Sequence, residues 1–204
     1  MKTFAAIAFT PAVRALQEAY GSRAAYARMD DVPPEVGLGA PEAALLHGAD
    51  SFYVASVNAD GWPYVQHRGG PRGFVRVLSP ERIAFADFRG NRQFISAGNV
   101  STDDRVALIV MDYPQRRRLK LFGHLRMTPV DTAPAELVEA VRLPDYRARI
   151  ERVATVDIAA FDWNCPQHIT PRFTVEEIDA RERPLRARLA ELEAELAALH
   201  ARRT

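Results

Sequence analysis

The chain of 204 residues is poor in the features that mark export, membranes or highly charged partners. It has one cysteine, so no internal disulfide and no thiolate zinc cluster can form, and a reducing, cytoplasmic setting is expected. Its 27 basic and 26 acidic residues leave a net charge of +1, too little for a global field that would draw in nucleic acid or an anionic membrane. Anion recognition must therefore be local. No run reaches the roughly 18 apolar residues of a membrane-spanning helix, and Met1 to Thr10, with one lysine and Pro11 just beyond, makes a poor secretory signal. The five histidines show no His-x-x-x-His spacing, and His67, His124 and His168 fall on separate elements, so no metal is expected. No Gly-x-Ser-x-Gly elbow is present.

What remains is an ordinary globular balance, 48% apolar and 26% charged, which suits a single domain with a substantial core. Residues 1–49 read as a helical segment. Thr10-Pro11 is a cap followed by a first-turn proline, and Gly21 can end the helix. A second short helix is expected through Tyr26 and Met29, and a third over Pro41 to Leu46, separated by the stiff Val32-Pro33-Pro34 connector. From residue 50 the period changes to that of strands. Expected strands are 51–57, 62–68, 74–78, 82–87, 106–112 and 117–127, and 153–158 is a further candidate. Short helices are expected over 93–100, 132–140 and 145–152. Strands in close succession, without strand-helix alternation, favour a small antiparallel barrel over residues 50–170. Thr174-Val175-Glu176-Glu177 is a capping box opening a C-terminal helix over 174–203. Within that helix Leu185, Leu189, Leu192, Leu196 and Leu199 make a heptad seam, preceded by Pro184, which suggests a kink or second start.

The strongest chemical signal is Asp87-Phe88-Arg89-Gly90-Asn91-Arg92-Gln93, between a strand and a helix start. Unpaired backbone N–H groups with an arginine and two amides make a phosphate seat; a solvated turn is the other reading. Gln66 to Gly73 is glycine-rich and basic but lacks the Lys-Ser/Thr end of a P-loop, so it reads as a bulge or a close backbone approach to a flat ligand. Arg116-Arg117-Arg118-Leu119-Lys120 is the densest basic run; on a strand at most half of it shares one face. Cys165 beside Trp163 reads as a small buried hydrophobe or an accessible thiol.

These residues together resemble the pyridoxamine 5′-phosphate oxidase-like, FMN-binding split-barrel superfamily, in its branch of predicted flavin-nucleotide-binding proteins. The resemblance is carried by Val54 to Arg68 with Gly61-Trp62-Pro63, by Phe85-Ala86-Asp87 with Gly90-Asn91-Arg92-Gln93, by Arg105-Val106-Ala107-Leu108 leading to Arg118 through Gly123, and by Trp163 to Ile169. It implies a mainly β fold with flanking helices (α+β), a six-stranded antiparallel split barrel. FMN would lie at the interface of a homodimer.

By the same resemblance, Asn91-Arg92-Gln93 stands where the family holds the FMN phosphate, with Gln93 in place of a cation. Arg68 and Arg76 are the candidates for the missing charge. Ala86 and Asp87 would lie along the ribityl chain and ring, Arg118 would face the pyrimidine edge, and Trp163 would approach from the second subunit. Ile169 and Pro171 replace the Arg-x-His pair by which the true oxidases hold their substrate, so the expectation is a flavin oxidoreductase of a different, unidentified small molecule. NADH or NADPH is a possible electron donor. A storage or sensor module, or a barrel holding deazaflavin or haem, is the alternative, and His67 and His168 are the candidate proton-transfer residues.

Overall fold

The computed structural model describes residues 1–30, 33, 36–163 and 166–202. Four helices precede the sheet: α1 (Phe4–Ala8), α2 (Pro11–Ala19), α3 (Arg23–Ala27) and α4 (Ala40–Gly48). Thr10 caps α2 by accepting a hydrogen bond from Val13 N, so the Thr-Pro pair acts as read. No separate helix was expected over Phe4–Ala8, yet Thr3 caps α1 by accepting a hydrogen bond from Ala6 N. It is held from outside, by the Lys2 N–H donating to Ala159 O and by Phe4 stacking on Phe122 at 4.9 Å.

The strands are β1 (Ser51–Val57), β2 (Pro63–Gly69), β3 (Val75–Ser79), β4 (Arg82–Phe88), β5 (Arg105–Asp112), β6 (Arg117–Pro129) and β7 (Ile150–Trp163), with α5 (Ile95–Thr102) and α6 (Ala135–Ala140) between them. They form one antiparallel sheet in the order β2-β1-β5-β6-β7-β4-β3. The first hairpin turns where Asp-Gly indicated: Asn58 Oδ1 accepts from the N–H groups of Asp60 and Trp62, and Gly61 takes the left-handed φ of +85° that the turn requires.

The sheet must curl. Strands β2 and β3 lie at opposite ends of the order, yet only residues 70–74 join them. A flat seven-stranded sheet is about 29 Å across at ~4.8 Å per strand, whereas that link reaches only about 20 Å. The two edges are therefore brought close without being hydrogen-bonded neighbours, which is a split barrel. Phe52, Phe74 and Phe85 fill it near the split, with Phe52 5.7 Å from Phe74 and 5.1 Å from Phe85, and buried Val54, Ile83, Leu119, Leu121 and Leu125 continue the core.

Seven strands replace the expected six because 150–163 pairs on both sides, with β4 and with β6. The helix expected over 145–152 is not formed. Residues 150–152 belong to β7, where Ile150 pairs with Phe88 and Arg152 with both Asp87 and Pro129, and this two-sided ladder outweighs local helix preference. Gly123 marks a register shift between β6 and β7, and a Cβ there would sit 2.6 Å from Asp157 O. The expected helix over 132–140 shortens to α6.

The last helix, α7 (Val175–Ala201), begins at the expected capping box: Thr174 Oγ1 accepts from Glu177 N and Glu177 Oε2 accepts from Thr174 N. It runs through Pro184 without interruption and buries none of its residues. Among the described residues no helix is long and apolar enough to cross a membrane.

Candidate functional site

The split between β2 and β4 opens into a cavity of about 320 Å³. Its walls are the end of β2 (Gln66 to Gly69), Phe74, the end of β4 (Ala86 to Phe88), the loop Arg89 to Phe94, the first turn of α5, and Glu151 and Arg152 at the start of β7. Four guanidiniums, Arg68, Arg89, Arg92 and Arg152, meet two carboxylates, Asp87 and Glu151, leaving an excess of two positive charges.

Asp87 organises the floor. It is 3% exposed and each of its oxygens takes one arginine: Arg68 Nη1 donates to Oδ1 at 2.5 Å, and Arg152 Nε donates to Oδ2 at 2.7 Å. The register explains the meeting, because Asp87 and Arg152 are direct cross-strand partners and Arg68 comes from the facing edge across the split. A buried carboxylate shared by two arginines is geometrically specific, and removing it would strand two half-buried cations. By contrast, Arg89 and Arg92 reach only Glu151, at 3.7 and 3.8 Å, and their side chains are about half exposed. They are free to turn toward an incoming anion.

The loop above this floor is left-handed at two non-glycine residues, Arg92 (φ 58°) and Phe94 (φ 57°). Each costs on the order of 1–2 kcal/mol, and such strain persists where the surroundings hold it. Here the Phe94 ring lies under Arg152 at 4.9 Å and beside Arg92 at 5.5 Å. The helix begins at Ile95, two residues later than expected, with the left-handed Phe94 as its cap residue and no side chain capping it. Its first-turn N–H groups therefore open on the cavity. Two buried polar atoms of the wall, Arg68 Nε and Ser96 Oγ, have no hydrogen-bond partner among the described residues.

Of the residues singled out from sequence, His67, Arg68, Ala86, Asp87, Asn91, Arg92 and Gln93 line this cavity. They do so unequally. Strand β2 alternates, with Tyr64, Gln66 and Arg68 half-buried and His67 on the exposed side, its ring edge-on to Tyr53 at 5.5 Å. Asn91 Oδ1 accepts from Gln93 N, folding the loop on itself. Arg76, Arg118, Trp163 and His168 do not line the cavity within one chain. Arg76 Nε donates to Ala140 O and ties β3 to α6. Trp163 Nε1 donates to Glu42 Oε1 at 2.5 Å and anchors α4, with Arg117 over its ring at 5.5 Å. Arg118 Nε is buried without a partner among the described residues. His168 is exposed and left-handed in the turn after Pro166. Cys165 lies outside the described residues.

Three residues of the site escaped the sequence reading: Arg152, Glu151 and Ser96. Arg152 lay inside a supposed helix, and only the β4-β7 pairing brings it to Asp87. Ser96 had no distinguishing pattern.

The family model described as pyridoxamine 5′-phosphate oxidase matches residues 41–181, well over half of the chain. Among curated proteins no relative matches significantly. HupZ of Group A Streptococcus is a structural neighbour at 13% identity, covering 67% of this chain and 99% of that one with a TM-score of 0.50. A pyridoxamine 5′-phosphate oxidase-related, FMN binding protein of Nostoc punctiforme is 15% identical, covering 62% of this chain and 84% of that one with a TM-score of 0.45. An F420 reductase is 22% identical, covering 64% of this chain and 98% of that one with a TM-score of 0.43. At these identities the neighbours speak to the fold alone. With a family match spanning the strands and the cavity loop, the chain belongs to the pyridoxamine 5′-phosphate oxidase family.

Proposed function

We propose that the cavity holds the phosphate end of a flavin nucleotide, FMN, and that the protein is a flavin-dependent oxidoreductase of a small molecule. The observation that carries the reading is the charge arrangement at the split. Two cations are pinned to a buried carboxylate, two more are loosely held, and Arg68 Nε and Ser96 Oγ are unpartnered donors beside an uncapped helix start. A dianionic phosphate monoester satisfies all of these at once: it neutralises the excess charge and accepts from the orphaned donors. About 320 Å³ lies at the lower end of the range for small-molecule sites and suits the phosphate and polyol rather than a whole isoalloxazine. The ring would extend beyond it.

In this reading Arg92, Arg89, Ser96 and the first-turn N–H groups of α5 bind the phosphate, and Asn91 and Gln93 add amide donors. Asp87 is a positioning residue that holds Arg68 and Arg152 at the right spacing. When bound, the flavin supplies the hydride and electron chemistry, and a nicotinamide nucleotide is the donor to test first.

A homodimer belongs to the same proposal. The outer face of β1 and β2, with the adjoining turn, exposes Tyr53, Val57, Trp62 and Val65 at 37–74%, an apolar patch suited to a second copy. Arg118 and Trp163 are the groups outside the cavity that such an arrangement could add to a flavin site.

The test is a titration of the purified, flavin-stripped protein with FMN, followed by quenching of flavin fluorescence, with riboflavin in parallel. Saturable FMN binding much tighter than riboflavin binding is expected. Equal affinity for both would overturn the phosphate-seat assignment, and binding of neither would overturn the flavin reading.

A further inference from the structure

Helix α7 carries a second pattern, independent of the flavin reading. Its heptad seam is longer than the leucines alone: Val175, Ile178, Leu185, Leu189, Leu192, Leu196 and Leu199 all fall on a and d positions, interrupted only by Glu182. These seven side chains are 43–70% exposed, and no residue of the helix is buried. Pro184 occupies a c position, away from the seam, which is why the continuous helix can carry it there.

Charge beside the seam says what covers it. The e and g positions of the first half are basic where the leucine run begins, Arg186 and Arg188, and those of the second half are acidic, Glu193 and Glu195. Arg186 and Arg188 are engaged only within the helix, Arg186 with Glu182 at 2.5 Å and Asp179 at 3.7 Å and Arg188 with Glu191 at 2.8 Å, and Glu193 and Glu195 form no ion pair among the described residues. Beside the four leucines Leu185, Leu189, Leu192 and Leu196 the flanks are thus positive at Arg186 and Arg188 and negative at Glu193 and Glu195.

We propose that α7 is a self-association element that pairs with α7 of a second copy in antiparallel orientation. The register follows from the charges. With Leu185 opposite Leu196 of the partner subunit and Leu189 opposite Leu192 of the partner subunit, Arg186 meets the partner's Glu193 and Arg188 meets the partner's Glu195, each twice by symmetry. Sliding the antiparallel pair by one heptad either way puts Arg186 and Arg188 against their own copies, or Glu193 and Glu195 against theirs. A parallel pair keeps Arg188 near the partner's Glu193 but sets Arg181 against the partner's Arg186. Only the first arrangement opposes unlike charges on both sides of all four leucine layers; beyond them it sets Asp179 against the partner's His200 and Arg181 against the partner's Arg202. Glu182 then falls at the end of the seam, opposite Leu199 of the partner subunit, where its carboxylate stays in water.

The experiment uses the full chain carrying Cys165→Ser and a single spin label at Ala180→Cys, Ala187→Cys, Ala194→Cys or Ala201→Cys, all f positions facing away from the seam. Double electron–electron resonance reads the distance between copies. The antiparallel register puts residues 187 and 194 about 10 Å, and residues 180 and 201 about 30 Å, from their own copies along the axis, so the outer labels should be farther apart by roughly 15 Å. Equal distances at all four positions would establish a parallel pair, and long distances at 187 and 194 would show that the helices do not meet; either overturns the proposal. A dimer formed by the barrels alone gives the second result. In the second arm, Arg186→Glu with Arg188→Glu should abolish the short distances at low salt, and adding Glu193→Arg with Glu195→Arg should restore them. Short distances that survive the first pair of reversals would overturn the register.

Discussion

The cavity at the barrel split and the helix α7 are the two arginine-rich parts of the molecule, and they use arginine in opposite ways. On α7 Arg186 and Arg188 each have an acid within a turn or two, and the partners are exposed. At the split the cations come from distant stretches: Arg68 of β2 and Arg152 of β7 converge on the buried Asp87, Arg89 and Arg92 of the loop approach Glu151, and positive charge is left over. Local matching leaves the proposed pairing surface of α7. Convergence with an excess leaves the proposed anion seat. Solvent explains the difference in strength: exposed pairs contribute at most about 1 kcal/mol, whereas stripping one partner from a buried pair costs about 3–5 kcal/mol.

The largest effect expected from this contrast is at Asp87. Replacing it with asparagine keeps the shape but strands Arg68 and Arg152, and should lower unfolding stability by about 3–5 kcal/mol in a urea titration. A loss below ~1 kcal/mol would mean that water, not Asp87, compensates these cations, and the two regions would then be alike.

Arg92→Ala should separate anion binding from folding. Loss of one charge-assisted phosphate contact is expected to weaken FMN by roughly tenfold to a hundredfold. Riboflavin affinity and the melting temperature should be nearly unchanged, because the half-exposed Arg92 side chain makes only loose contacts, with Glu151 at 3.8 Å and the Phe94 ring at 5.5 Å. Equal losses for FMN and riboflavin would make the residue part of the ring site instead.

The smallest effect concerns the root of α7. Glu177 accepts from Thr174 N and from Arg72, and these, in that order, hold its carboxyl below the usual carboxylate range. The folded value is the depressed one, so the contact stabilises the helix start at pH above the ordinary glutamate value. That contribution is lost as pH falls through the lowered value. In an NMR titration the Glu177 carboxyl and the Thr174 amide should shift together, with a midpoint below the ordinary glutamate value. A midpoint at the ordinary glutamate value would detach Arg72 and the capping box from each other.

Much of this was legible along the chain. The strands at 51–57, 82–87 and 106–112, the Asp-Gly hairpin, the Thr-Pro start of α2 and the Thr174 box all have short-range causes: alternation, a turn conformer and a side-chain cap. That Asp87 to Gln93 form one cluster was also legible, because a basic, amide-rich turn between strand and helix has a local signature, and these residues line the cavity. The reading failed where partners are remote. Residues 150–152 carry helix-compatible side chains but are claimed by ladders on both sides, and α1 is held on a surface that β6 and β7 offer it. The left-handed Arg92 and Phe94, which delay α5 to Ile95, had no glycine to announce them.

Composition excluded internal disulfides and a global field for polyanions, and periodicity alone placed the barrel strands and the α7 seam, since each depends on neighbours a few residues away. The meeting of Arg68, Asp87 and Arg152, the cavity between two unpaired edges and the outward face of His67 were decided only by the folded sheet. Its curl brings Arg68 to Asp87 across 19 residues and its β4-β7 pairing brings Arg152 there across 65, and no local rule carries that information.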